Sequence, residues 1–220
     1  MADFARYLPL SYRPPQDESQ VTSHWGQDIA GLLRATASLL DGRPESAWEA
    51  PSLNRGWSVR ESVGYLVGRL GTPTGELVRT IAFATAENAF RSRAAAESLA
   101  RRAASASTDE LIASLLGIAE DKAAGRGRTG IRELAIATVG ALDIGGGLGA
   151  RLHMRPTASG AVALRRALAA PTEITAVVRG RTLTATDADW SFGRGPEMAD
   201  TAENILRFLY GRSDRAPGMP

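Results

Sequence analysis

The sequence predicts a mainly α-helical protein: a four-helix bundle followed by a small α+β C-terminal domain. Three observations carry that reading. Ser58 with Glu61, and Ser107 with Glu110, each have the spacing of a capping box, in which hydroxyl and carboxylate satisfy two orphan amides at a helix start. Behind the first box Val59, Val63, Leu66, Val67 and Leu70 recur every three or four residues, so one apolar stripe faces a core. After Pro156 the helical period gives way to short β-branched runs punctuated by glycine. The divisions that follow are an N-terminal arm over residues 1–17, a helical bundle over 18–152 and an α+β domain over 153–220.

In chain order, Pro9, Pro14 and Pro15 lie among Tyr7, Tyr12 and Arg13, which predicts an extended arm lying across the bundle. From Glu18 to Leu40 the positions Val21, Trp25, Ile29, Leu32, Thr36 and Leu39 keep a helical period, and Asp41-Gly42 ends it. His24 stands one residue off that stripe and is read as a surface histidine. Residues 43–54 form a loop held by Trp48; Trp48 and Trp57 either cover core or line a pocket mouth. Trp57 occupies the staple position before the first box. A long helical region follows over 74–104, and the second box opens a helix through Leu111, Leu115 and Ala119 that stops at Gly125.

The last bundle helix starts at Thr129-Gly130 and aligns Ile131, Leu134, Ala135, Thr138, Val139 and Leu142. The glycines at 145, 146, 147 and 149 then read as a helix end running into a hinge. They are not a dinucleotide loop, which needs a strand before it. Beyond Pro156 the sequence predicts a short helix over 161–168. A hairpin of Glu173–Val178 and Arg181–Thr186 about Arg179-Gly180 follows, then a helix with Ala202, Ile205, Leu206, Phe208 and Leu209 inward, stopped by Gly211.

Composition narrows the function. Of 220 residues 44% are hydrophobic and 23% charged, enough for an ordinary core. The formal charge is +2, every basic residue but Lys122 is arginine, and no aromatics interleave Arg101-Arg102 or Arg165-Arg166. A nucleic-acid surface is therefore not expected. No cysteine is present, which removes disulfides, thiolate nucleophiles and Cys-ligated zinc, and no apolar run reaches the roughly 20 residues of a membrane helix. A soluble, cytoplasmic protein acting on a small molecule is expected.

Three stretches resemble one known family. Gly56-Trp57-Ser58-Val59-Arg60-Glu61, with Pro51-Ser52 upstream, is similar to the start of the second helix in the DinB-like, mycothiol-dependent maleylpyruvate isomerase family. There the usual text is Gly-Trp-Thr-Val-Arg-Asp followed by a His-Leu pair whose His is a metal ligand; the matching position here is Tyr65. The last bundle helix of that family reads approximately Glu-x-x-x-His-Ala-x-Asp, which places the two remaining ligand positions on Ile136 and Gly140 and matches Asp143. Its C-terminal domain has a Trp-containing strand and a Gly-rich turn before a helix closing on Gly-Arg, as Trp190, Gly193, Gly195, Gly211 and Arg212 do here. The resemblance implies a DinB-like bundle in which metal and mycothiol together convert cis to trans double bonds or transfer the thiol.

The substitutions alter that implication. A catalytic metal needs imidazole or carboxylate donors, Ile136 and Gly140 offer neither, and a phenol ligates only after losing its proton. No metal and no resident cofactor are expected, mycothiol entering only through the resemblance. Tyr65 and Asp143 are the candidate catalytic residues, with Trp57, Ile136, Gly140, Trp190 and Arg212 as substrate-binding neighbours. Replacing a His by Gly140 is expected to leave a void, with Trp57 and Trp190 at its rim. Three functions stay open. One is metal-independent acid/base chemistry of isomerase or cyclase type. Another is a non-catalytic ligand-binding or homodimerising protein. The third is a retained mycothiol-dependent isomerase or thiol transferase.

Overall fold

In the computed structural model, residues 24–72 and 100–218 are described. The N-terminal arm lies outside them, as do residues 18–23 of the helix expected from Glu18 to Leu40 and residues 74–99 of the 74–104 region. The elements are α1 (Gly26–Leu40), α2 (Glu45–Trp48), α3 (Val59–Gly71), α4 (Thr108–Ala123), α5 (Ile131–Gly147), α6 (Pro156–Leu168), α7 (Thr172–Val178), β1 (Thr182–Ala185), β2 (Ser191–Gly193), β3 (Glu197–Asp200) and α8 (Ala202–Leu209). Helices α1, α3, α4 and α5 form the bundle, α1 and α3 each packing on both α4 and α5. Residues 100–103 are also helical, and their backbone comes so close to α3 that a Cβ on Gly64 would stand 2.6 Å from the Ala100 carbonyl.

Both capping boxes form. The Glu61 amide donates to Ser58 Oγ at 3.2 Å and the Ser58 amide to Glu61 Oε2 at 2.9 Å; Ser107 and Glu110 repeat the arrangement. Helix α1 starts at Gly26 rather than earlier, because the Trp25 amide is taken by the Thr129 carbonyl and the Lys122 carbonyl lies where a Cβ on Gly26 would be. Trp48 is 1% exposed, so it covers core. His24 is exposed, as expected.

The glycine run is not a hinge. Gly145, Gly146 and Gly147 continue α5, and each is small because something presses on it: Leu53 on Gly146, the Pro51 carbonyl on Gly147 and the Ala150 carbonyl on Gly145. The helix then ends in a Schellman motif. Gly149 takes φ +66°, Ala150 N donates to Gly145 O at 2.8 Å, and Gly149 N donates to Gly146 O at 3.3 Å. Pro156 is the first residue of α6, a place where its missing N–H costs nothing. The helix is thus longer than the 161–168 expected.

The predicted hairpin is corrected. Thr172–Val178 is a helix, with Pro171 at its N-cap, Glu173 in its first turn and no buried side chain. β-branched residues lower helix propensity only slightly. The preference for a strand is realised only against a partner, and β1 finds its partners elsewhere. It pairs antiparallel with β2, Leu183 opposite Phe192, and parallel with β3, Leu183 opposite Met198, so the sheet order is β2-β1-β3. Helix α8 packs on α6, α5 and β1. One continuous apolar cluster runs from Ile29 and Leu33 through Leu134 and Val162 to Leu183 and Leu206. Among the described residues no helix is long and apolar enough to cross a membrane.

Candidate functional site

Two helical stripes meet at a cleft. Ser62, Tyr65 and Arg69 recur at one-turn spacing on α3, and Arg132, Ile136, Gly140 and Asp143 do so on α5. The cleft between them has a volume of about 300 Å³ and is closed by Asn54 and Trp57 of the loop before α3, Arg165 of α6, and Tyr210 and Arg212 at the end of α8. The loop is set by Ser52: its amide donates to the Trp57 carbonyl at 2.9 Å, and its hydroxyl accepts from Asn54 N at 3.2 Å and Ser62 Oγ at 2.9 Å. Trp57 meets Tyr65 edge-on at 5.4 Å between ring centroids. The Arg69 guanidinium lies 5.9 Å from the Tyr65 ring centroid on top of that contact. The Tyr65 hydroxyl makes no hydrogen bond among the described residues.

Arg212 is delivered by the end of α8. Gly211 takes φ +67°, its amide donates to the Phe208 carbonyl at 2.9 Å and the Arg212 amide to the Arg207 carbonyl at 2.7 Å, a second Schellman motif. The chain therefore reverses at Gly211, and Arg212 reaches α5. Its Nε donates to Asp143 Oδ1 at 2.7 Å and its Nη2 to Oδ2 at 2.9 Å, a bidentate fork. Asp143 is 4% exposed. Burial pushes its carboxyl above the usual range, and the hydrogen bonds and charge of Arg212 offset part of that rise. Tyr210 beside it is raised by burial too, with Arg166 and Arg165 opposing, and its hydroxyl is buried without a hydrogen-bond partner among the described residues.

The structure brings Tyr65, Asp143, Trp57, Ile136, Gly140 and Arg212 together, as the sequence suggested. Trp190 is not among them. It stacks on Phe192 at 5.6 Å, sits over Gly160 of α6 and donates from Nε1 to Ser159 Oγ at 3.0 Å, because β2 lays it on the far side of α6. Gly140 lines the cleft, but the place its missing Cβ would take is not part of the open space: a Cβ there would stand 2.4 Å from Leu66 Cδ2, so a fully buried leucine of α3 uses it. Sequence reasoning missed Arg69, Arg132, Arg165 and Tyr210. The first two were legible, each four residues from a chosen position on the same stripe, Tyr65 and Ile136. Arg165 and Tyr210 arrive through tertiary packing that no local pattern announces.

The donor set does not fit a catalytic metal. Tyr65, Ile136 and Gly140 converge, yet only the phenol carries a heteroatom, and the one carboxylate in the lining is engaged on both oxygens by a guanidinium. Among the described residues no three His, Cys, Asp or Glu side chains cluster.

Bundle, C-terminal sheet and inter-helical cleft together make this a DinB-like helical fold with a small α+β part. The crystal structure of the mycothiol-dependent maleylpyruvate isomerase is similar, with a TM-score of 0.50 and 13% sequence identity over 99% of this chain and 95% of that chain. No protein-family model and no curated protein matches the sequence.

Proposed function

We propose that the chain is a metal-independent relative of the maleylpyruvate isomerase type, acting on a small organic molecule by acid/base chemistry of isomerase or cyclase kind in this cleft. The observation that carries the reading is the Tyr65 hydroxyl, which has no protein partner among the described residues and lines a largely apolar cleft walled by Trp57 and Ile136. A phenol so placed donates a hydrogen bond or a proton to a bound carbonyl or enol oxygen. Asp143 plays a different part from a free base. With both oxygens on Arg212 it fixes that guanidinium toward the cleft, where it steadies negative charge as the proton moves.

A panel of small keto and carboxylic acids, maleylpyruvate among them, is followed by NMR for cis–trans conversion or proton exchange. Wild-type, chelator-treated and Tyr65→Phe protein are compared, with and without mycothiol. Turnover that survives chelation and disappears in Tyr65→Phe at unchanged melting temperature supports the reading. Turnover abolished by the chelator removes metal independence. Turnover that needs mycothiol favours the thiol-dependent reading that the fold likeness carries. A Tyr65→Phe protein as active as wild type takes Tyr65 out of the chemistry.

A further inference from the structure

The cleft holds more positive charge than its own residues neutralise. Four arginines line it, Arg69, Arg132, Arg165 and Arg212, and a single acid, Asp143, which Arg212 engages on both oxygens. That leaves a local charge of three positive units, since four guanidiniums less one carboxylate is +3. Several arginines elsewhere find carboxylates: Arg60 has Glu45 and Glu49, Arg126 has Asp121, Arg128 has Glu133, Arg155 has Asp28 and Arg207 has Glu203, while exposed ones such as Arg34, Arg179, Arg181 and Arg194 face solvent instead. Among the described residues Arg69, Arg132 and Arg165 have no ion-pair partner, and Arg69 Nε is buried with no hydrogen-bond partner. Arg132 and Arg165 are exposed at the mouth of the cleft, so solvent screens part of the repulsion among the three like charges, but the buried guanidinium nitrogen of half-buried Arg69 without an acceptor is costly. An anion relieves both.

We propose that Arg69, Arg132 and Arg165 form a phosphoryl-binding clamp, so that the ligand of the cleft is a small organic phosphate. The head group is chosen by charge and acceptor count. A carboxylate brings one negative charge and two oxygens. A phosphoryl group brings about 1.5 to 2 negative charges at neutral pH and three strong acceptor oxygens, which suits three guanidinium forks. The organic part then lies on Trp57, Ile136 and Val139, the apolar side of the cleft. This inference rests on the cleft being the small-molecule site, but not on the acid/base role given to Tyr65.

The test is calorimetric titration of the full chain at about 0.15 M salt with three aromatic probes: phenyl phosphate, benzoate and phthalate. Phenyl phosphate is expected to bind at least about tenfold more tightly than benzoate, with Arg132→Ala and Arg165→Ala each weakening it by about tenfold or more at unchanged melting temperature, the loss expected for one charge-assisted hydrogen-bonded pair. Arg179→Ala removes the same charge from an exposed position outside the cleft and is expected to leave the affinity unchanged. Benzoate binding as tightly as phenyl phosphate, phthalate binding more tightly, no binding of any probe, or equal weakening by Arg179→Ala each overturns the phosphoryl assignment. The two proposals fail separately. Tight phenyl phosphate binding in Tyr65→Phe beside lost turnover leaves the clamp standing whatever the chemistry. Turnover in Arg132→Ala and Arg165→Ala equal to that of wild type, with phenyl phosphate affinity unchanged, removes the clamp and leaves the acid/base reading.

Discussion

Asp143 and Arg212 are the residues on which the site turns, and the cost of separating them is electrostatic. Burial alone would keep the Asp143 carboxyl protonated well above its ordinary range; the guanidinium fork is what lets it ionise inside the protein. Because its folded pKa stays raised, the native state holds this proton more tightly than the unfolded chain. The group's contribution to stability is therefore full below the ordinary carboxylate range and declines as pH rises through the raised value. Arg212→Ala removes the offset and lifts that value further. The variant is expected to lose about 2–4 kcal/mol at neutral pH and to recover much of it on acidification, read as a melting-temperature gap that narrows from pH 7 towards pH 4–5. A gap that is constant across that range would mean the pair contributes only packing. Gly140 is the other decisive residue. Alanine is the better helix former by about 1 kcal/mol, yet its Cβ would overlap Leu66, which is fully buried and has nowhere to go. Gly140→Ala is expected to destabilise by about 1–3 kcal/mol and to be partly rescued in a Leu66→Ala background. A stabilised Gly140→Ala protein would show that Leu66 yields freely.

The elements show where sequence reading succeeds and where it stops. Helix starts announced by a capping box, at Ser58 and Ser107, were legible because hydroxyl, carboxylate and spacing are all local. The cleft positions Tyr65, Ile136, Gly140 and Asp143 were legible only through the family resemblance, since the helical period by itself marked the neighbouring faces, Val59, Val63 and Leu66 on α3 and Leu134, Ala135 and Thr138 on α5. Thr172–Val178 was not. Its β-branched composition suits a strand, but a strand exists only as half of a pair, and Ser191–Gly193 and Glu197–Asp200 were the pairs that formed. The glycine run misled for a related reason: flexibility was inferred from composition, while contacts from Leu53 and Pro51 use the missing Cβ atoms. Gly211 joins element to site. Its positive φ costs an L-residue about 1–2 kcal/mol, and no atom lies within 4 Å of where a Cβ would be. Gly211→Ala should therefore cost strain without a clash, unless relief of the strain also moves Arg212. A double-mutant cycle with Arg212→Ala separates the cases. Coupling of at least about 0.5 kcal/mol is expected, because the turn that glycine permits is what carries the guanidinium to Asp143; strict additivity would make the turn and the ion pair independent.

At the scale of the whole molecule, the sequence separates a bundle from an α+β segment, whereas the apolar cluster does not. Ala158, Val162 and Ala163 of α6 pack in the same core as Leu134 and Ile144 of α5, and Ile205 and Leu209 of α8 close it from the other side. The connection between the two segments is the exposed place: Arg151, His153 and Arg155 face solvent, while Val59, Val63, Leu66 and Leu70 on α3 are at most 3% exposed. Proteolysis needs a stretch of backbone that opens at little cost, so among the described residues tryptic cutting is expected at Arg151, since Arg155 precedes Pro156 and is tied to Asp28, and not inside residues 60–70. Backbone continuity and core continuity then give different outcomes for the nicked protein. If the α+β segment were held only by its linker, the fragments would separate once it was cut. A shared core predicts that they stay together, elute as one species in native size-exclusion chromatography and part only in denaturant, with the Arg212 to Asp143 fork spanning the cut as a further tie. Retained phenyl phosphate affinity in the nicked complex would show the cleft intact, since its walls come from both segments. Fragments that part at once in buffer would overturn the single-core account, and with it the claim that residues as far apart as Tyr65 and Arg212 form one site.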